Sequence, residues 1–175
     1  NVREEYNLPN AIVTAGAGDN AAAAIGTGTI QNGDCNVSLG TSGTVFVSRD
    51  DFFVDDNNSL HSFAHATGKY HLMGCILSAA SCNKWWMDEI IGTSDYATEQ
   101  KAIEKLGENH VYFLPYLMGE RTPILDSSAT GLFIGIRNNT EKKDIIRAVI
   151  EGVGYSIKDC FNLIPGKKNK VLISG

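Results

Sequence analysis

The chain has 175 residues, 43% of them hydrophobic and 20% charged, with a formal net charge of -5. That is long enough to bury a core without staples and too apolar for a disordered segment. The acidic balance argues against nucleic acid or an anionic membrane surface as partner, and no uncharged apolar run is long enough to cross a bilayer.

In chain order, AIVTA at 11–15 reads as a short strand running into the turn Gly16-Ala17-Gly18. Asp19 then stands at or near the cap of a helix-forming run, NAAAAI. Gly26, Gly28 and Gly33 stop that helix and mark a joint, which places a lobe boundary near residue 30. CNVSLGTSGTVFVS at 35–48 reads as a hairpin with the small residues Gly40-Thr41-Ser42-Gly43 at its tip. Residues 50–60 are polar and acidic, a surface loop. More strand is expected over 61–78, interrupted at Thr67-Gly68-Lys69. Residues 79–91 and 95–105 read as helices. An apolar run at 111–118 enters the loop GERTPILDSSATG, and GLFIGI at 131–136 is strand-like. Thr140 is the expected cap of an amphipathic helix whose apolar stripe runs through Ile145, Ile146, Val149, Ile150, Val153, Ile157, Phe161 and Ile164, and Pro165-Gly166 ends it. VLISG at 171–175 is a buried-type strand opening into glycine, the edge beyond which ligands bind in open α/β sheets.

Glycine is overrepresented, 18 of 175, and clusters at 16–43, so the candidate chemistry lies there. The Asp19 carboxylate beside glycines suits a general base or a polyol ligand, but from the pattern alone a plain helix cap is the preferred reading, and the two roles can coexist. The hairpin tip offers backbone N–H groups and hydroxyls without bulk, as a nucleotide phosphate needs. It carries no P-loop lysine, and small residues are common at turns for steric reasons. Glu120, Arg121 and Asp126, in a loop with a proline, could orient a ligand or form an ion-paired loop anchor, and the anchor is the preferred reading. His61 and His65 are four apart but in a strand-like pattern, so they and His71 and His110 read as structural rather than as metal ligands. Trp85 and Trp86 belong to the core. Cys35, Cys75, Cys82 and Cys160 contain no CxxC pair and read as buried reduced thiols of a cytoplasmic protein.

Five runs occur together and in order: AGAGDNAAAAIGTG, SLGTSGTV, SFAHATGKYHLMGCILSAAS followed by Trp85-Trp86, LPYLMGERTPILD, and GLFIGIRNNTEKKDIIRAVIE over Gly131–Glu151. Together they resemble the FGGY carbohydrate kinases, in particular the xylulokinase branch, over about residues 11–175. The resemblance implies an α/β protein of the ribonuclease H-like, actin-like ATPase fold, two-lobed in full, with a mixed sheet and flanking helices. Residues 1–30 would close the first, sugar-binding lobe. Residues 31–175 would form the second, nucleotide-binding lobe, stopping before the family's adenosine loop. It implies ATP-dependent phosphorylation of a sugar hydroxyl, D-xylulose to D-xylulose 5-phosphate, with ATP and Mg²⁺. Asp19 would be the general base, Asn20 a sugar contact, Gly40, Thr41 and Ser42 the phosphate loop, and Lys84 a nucleotide contact. Thr130 departs from the arginine common in relatives at that place.

Two further expectations come from the absent first lobe and adenosine loop: the piece alone does not turn over substrate, and its open sheet edge favours self-association. The alternatives are an FGGY kinase for another ketose, polyol or sugar acid, and a sugar- or nucleotide-binding sensor without catalysis. An actin-like assembly protein is a more distant third.

Overall fold

The computed structural model describes residues 2–8, 10–12 and 16–175. Residues 13–15 of the strand expected at 11–15 lie outside that range, and 11 and 12 carry no regular structure. α1 (Val2–Glu5) is a single turn. α2 (Asp19–Thr27) ends at Gly28, whose φ of 70° makes it a left-handed stop that a side chain would resist. β1 (Asp34–Leu39) and β2 (Gly43–Arg49) form the expected hairpin, with Cys35 opposite Val47 and Leu39 opposite Gly43. β3 (His61–Ala64) and β4 (Tyr70–Ile76) pair across the turn at 65–69, and β4 also pairs with β2.

α3 (Ala80–Trp85) continues into a π-helical turn, Trp86–Ile91, where an unbroken α-helix was expected. The wider turn lets two sequence-adjacent indoles reach one aromatic cluster: Trp85 stacks on Phe113 and Trp86 tilts against Phe133. α4 covers only Tyr96–Gln100, not 95–105, because 101–107 offers almost no buried face to stabilise further turns. Asp95 caps it, accepting from the Thr98 N–H at 3.1 Å. β5 (Tyr112–Leu114) and β6 (Leu132–Ile134) make a separate two-stranded ribbon.

α5 (Lys142–Leu163) starts one residue later than expected. The Thr140 hydroxyl is already taken by the Arg137 N–H and by His110 Nε2, so it does not cap the helix. Glu141 and Asp144 form a capping box instead, the Glu141 N–H donating to Asp144 Oδ2 at 2.9 Å. β7 (Lys170–Ser174) returns parallel to β1 and completes a mixed sheet of order β3-β4-β2-β1-β7.

The period-2 alternation of the strands decides what each face covers. Cys35, Val37, Val45, Val47, Leu72 and Ile76 point to one face, where Cys160 of α5 and Ile164, just past its end, pack on them. The other flank of α5 carries a second cluster, in which Val149 meets Val111, Phe113 and Cys82. The residues in between, Asn36, Thr44, Phe46, Ser48 and His71, point to the opposite face, and α2 lies there. Its start is tied to Thr44 and the residue beyond its end, Thr29, to Ser48. All four cysteines are free and buried. Among the described residues no helix is long and apolar enough to cross a membrane.

Candidate active site

The tethering of α2 along β2 puts Asp19 at the hairpin end of the sheet. Thr44, the second residue of β2, donates its hydroxyl to Asn20 Oδ1 at 3.4 Å, while Ser48 donates to the Thr29 carbonyl at 2.6 Å. The helix therefore runs alongside the strand, with its first residues at the end where β1 turns into β2. Asn20 relays this to its neighbour: its N–H (2.8 Å) and Nδ2 (3.2 Å) both donate to Asp19 Oδ1. Asp19 Oδ2 has no hydrogen bond to the described residues, and the side chain is exposed. Asp19 is the first residue of α2 rather than its cap; Gly18 holds the cap position, without a side-chain bond.

The tip Gly40-Thr41-Ser42 is exposed, and α3 orients it. The first N–H groups of a helix lack intrahelical partners. Here the Ala80 N–H donates to the Gly40 carbonyl and the Ala79 N–H to the Thr41 carbonyl, each at 2.9 Å, and the Ser81 hydroxyl adds a third bond, to Thr41 O, at 2.8 Å. In a trans peptide the carbonyl of one residue and the N–H of the next point in opposite directions. Fixing the Gly40 and Thr41 carbonyls toward α3 therefore turns the Thr41 and Ser42 N–H groups away from it. Neither N–H has an acceptor among the described residues. Two outward N–H groups at an uncrowded turn can take an anionic oxygen.

Lys84 lies in the same groove as Thr41, a cleft of about 590 Å³ that also takes in Ser81, Asn83 and Tyr96. Its ammonium is paired with Asp88 one turn on, which raises its pKa, and Asp88 also accepts from the Tyr96 hydroxyl. Ala80 and Asn83 also line a larger apolar cavity of about 810 Å³, walled by Leu39, Val153, Ile157 and Ile173 between α5 and the sheet.

Residues 35–174 match the model of the C-terminal domain of the FGGY family of carbohydrate kinases. The chain belongs to that family. It is 41% identical over 168 residues to a xylulose kinase of Klebsiella pneumoniae, covering 93% of this chain and 34% of that protein. Among solved structures it superposes on a xylulose kinase from Brucella ovis with a TM-score of 0.85 at 36% identity, covering 99% of this chain and 37% of that one. A gluconate kinase from Lactobacillus acidophilus matches with a TM-score of 0.81 at 27% identity, covering 91% of this chain and 34% of that one. The chain thus spans about a third of the length of the relatives it matches. Its fold is the mixed α/β sheet with flanking helices of the actin-like ATPase sugar kinases.

Of the site residues read from the sequence of this FGGY chain, Asp19, Asn20, Gly40, Thr41 and Ser42 gather at one end of the sheet. Lys84 shares a groove with Thr41. The helix start at Ala79–Lys84 was expected to approach the nucleotide; sequence reasoning missed that Ala79, Ala80 and Ser81 hold the tip carbonyls, and missed Thr44 altogether. The one available signal was the small-residue run SAAS directly after a strand. The loop GERTPILD is an anchor as expected, but not through an ion pair. Glu120 and Asp126 exchange backbone bonds at 2.9 and 3.0 Å, and the Glu120 carboxylate accepts backbone N–H groups, its pKa raised by burial. His65 and His71 are both buried with ring centres 5.9 Å apart, a meeting the sequence did not show. Among the described residues no three His, Cys, Asp or Glu side chains group as a metal site.

Proposed function

We propose that the protein phosphorylates a sugar hydroxyl with ATP, converting D-xylulose to D-xylulose 5-phosphate, with Asp19 as general base. The observation that carries this reading is the placement of the Asp19 carboxylate at the same sheet end as the outward Thr41 and Ser42 N–H groups. Phosphoryl transfer demands positioning and charge stabilisation more than covalent chemistry. The tip N–H groups would hold phosphate oxygens at no steric cost. Asn20, donating to Oδ1, fixes the carboxylate and leaves Oδ2 to accept the proton of the attacking hydroxyl as its oxygen bonds the γ-phosphorus and ADP departs.

Mg²⁺ commonly takes one or two carboxylates together with substrate phosphates and water, and it would neutralise charge on the phosphates. Within this chain Asp19 would help with the ion only indirectly. Asn20 as a sugar contact and Lys84 as a nucleotide contact complete the proposed set, Lys84 acting once its pairing with Asp88 is exchanged for phosphate.

A second reading, a kinase of the same family for another sugar or sugar acid, is favoured by the gluconate kinase match. Two neighbours whose names give different substrates superpose on this chain with TM-scores of 0.85 and 0.81, which supports a fold shared between kinases of different sugars.

The test is ADP release by the full-length protein on a panel of ketoses, polyols and sugar acids, beside Asp19→Asn. Turnover on D-xylulose that falls about 10²- to 10⁴-fold in the variant is the expected result. Turnover on a different sugar moves the protein to the second reading. ATP binding with no turnover on any sugar refutes the kinase reading.

A further inference from the structure

β4 outruns its edge neighbour. β3 pairs with it only from Tyr70 to Met73, so Cys75 and Leu77, further along the same edge, have no strand partner there. A buried N–H or carbonyl left unpaired is costly, and the loop carrying Glu120 and Thr122 supplies the partners. The Thr122 N–H donates to the Cys75 carbonyl at 3.0 Å, and Thr122 Oγ1 accepts from the Cys75 N–H at 3.2 Å. At the last position a carboxylate stands in for a strand carbonyl: Glu120 Oε1 accepts from the Leu77 N–H at 3.0 Å and from the Arg121 N–H at 2.7 Å.

Glu120 is only 2% exposed, and its Oε2 has no partner among the described residues. Burying a carboxylate this way is expensive, more than a neutral acceptor would need to cost. Leu77 is also a particular place to spend it. Two and three residues on, the Ala79 and Ala80 N–H groups pin the Thr41 and Gly40 carbonyls. Ser78 between them is fully buried, so the link has little slack.

We infer that Glu120 is a positioning residue for the phosphate hairpin: through Leu77 it sets the start of α3, whose N–H groups aim the tip. The inference rests on the kinase reading of that tip. What the brace needs is the reach of an acceptor oxygen to Leu77, and two variants separate reach from charge. Glu120→Gln keeps the reach and the acceptor and loses the charge. Glu120→Asp keeps the charge and withdraws the oxygen by one methylene.

The experiment is steady-state kinetics of the full-length protein, with ATP and sugar varied separately. Glu120→Gln is expected to stay within about threefold of wild type in both KM values. Glu120→Asp is expected to raise the KM for ATP about tenfold and move the KM for sugar less than threefold, the scale of one hydrogen bond to a charged group. A tenfold rise in ATP KM for Glu120→Gln overturns the inference, because charge and not reach then matters. Unchanged KM values with a lower kcat in Glu120→Asp overturn it too, since fewer folded molecules explain that pattern.

If Glu120→Asp does not fold, Ser81→Ala decides, because it removes the hydroxyl bond to Thr41 O from a half-buried site. A two- to fivefold rise in ATP KM alone supports the brace, and no change removes its ground. Wild-type protein without turnover on any sugar refutes the kinase reading instead, and is seen before any variant is compared.

Discussion

Two glycines of one turn do different jobs. A Cβ added at Gly43 would lie 2.9 Å from Ile157 Cδ1 and from Ile76 Cγ1, so this glycine lets α5 and β4 close on the hairpin. A Cβ added at Gly40 would meet nothing nearer than Ser42 O at 3.7 Å, and Gly40 is not among the glycines with positive φ. The fold leaves room there that the protein itself does not use. Gly40→Ala should therefore melt within about 1 °C of wild type, yet raise the KM for ATP about tenfold, because the methyl group enters space proposed for a phosphate. Thermal melting and ATP titration of the full-length protein check the two halves separately. A variant with unchanged ATP KM would mean the tip does not approach the nucleotide.

At the element scale, α5 shows how packing overrides propensity. Glycine inside a helix ordinarily costs about 1 kcal/mol relative to alanine, so replacing it should help. At Gly152 it should not: a Cβ there would stand 2.3 Å from the Phe113 carbonyl oxygen, backbone against backbone where β5 crosses the helix. Gly152→Ala is expected to destabilise by about 1–3 kcal/mol, the cost of overpacking a close contact. Gly154, two residues on, has open space at its Cβ, and Gly154→Ala should stabilise by about 0.5–1 kcal/mol. Denaturant midpoints of the pair test this. A stabilised Gly152→Ala would mean that β5 does not lie against α5.

Across the whole molecule, the polar face of the sheet makes stability depend on pH. His71 is 4% exposed and stacks on Phe46 at 4.1 Å, with His65 edge-on and Phe63 tilted beside it. Burial, and secondarily the His65 charge, push its pKa down from 6.5 to about 4. Between those values the unfolded chain binds the His71 proton and the folded chain does not. Stability therefore falls as pH drops from about 6.5 to about 4, by on the order of 3 kcal/mol over the window. Glu120 works with the opposite sign: burial raises its pKa, so its contribution declines as pH rises above 4.5. His71→Phe should remove the first dependence and leave the second. Melting curves from pH 4 to 7 on both proteins read the difference, and parallel curves would refute the assignment.

The chain of residues itself determined the parts with a local physical signature. The stripe from Ile145 to Ile164 could only be one long helix packed on one side, and the alternation around Gly40–Gly43 could only be a hairpin, because periods of 3.6 and 2 are written in neighbouring residues. The family, too, was legible from five runs in order. Tertiary structure alone decided how these parts become a site. That Asp19 stands at the same sheet end as the tip depends on Thr44 and Ser48 tying down the two ends of a helix that precedes them by some twenty residues. That Thr41 and Ser42 present their N–H groups depends on which way two peptide planes are turned by Ala79 and Ala80. Glu120 looks like half of an ion pair in sequence because its true partners are backbone N–H groups, that of the next residue, Arg121, and that of Leu77, which follows β4 more than forty residues away. A backbone N–H is the same at every position, so no pattern of side chains announces which one a carboxylate will meet.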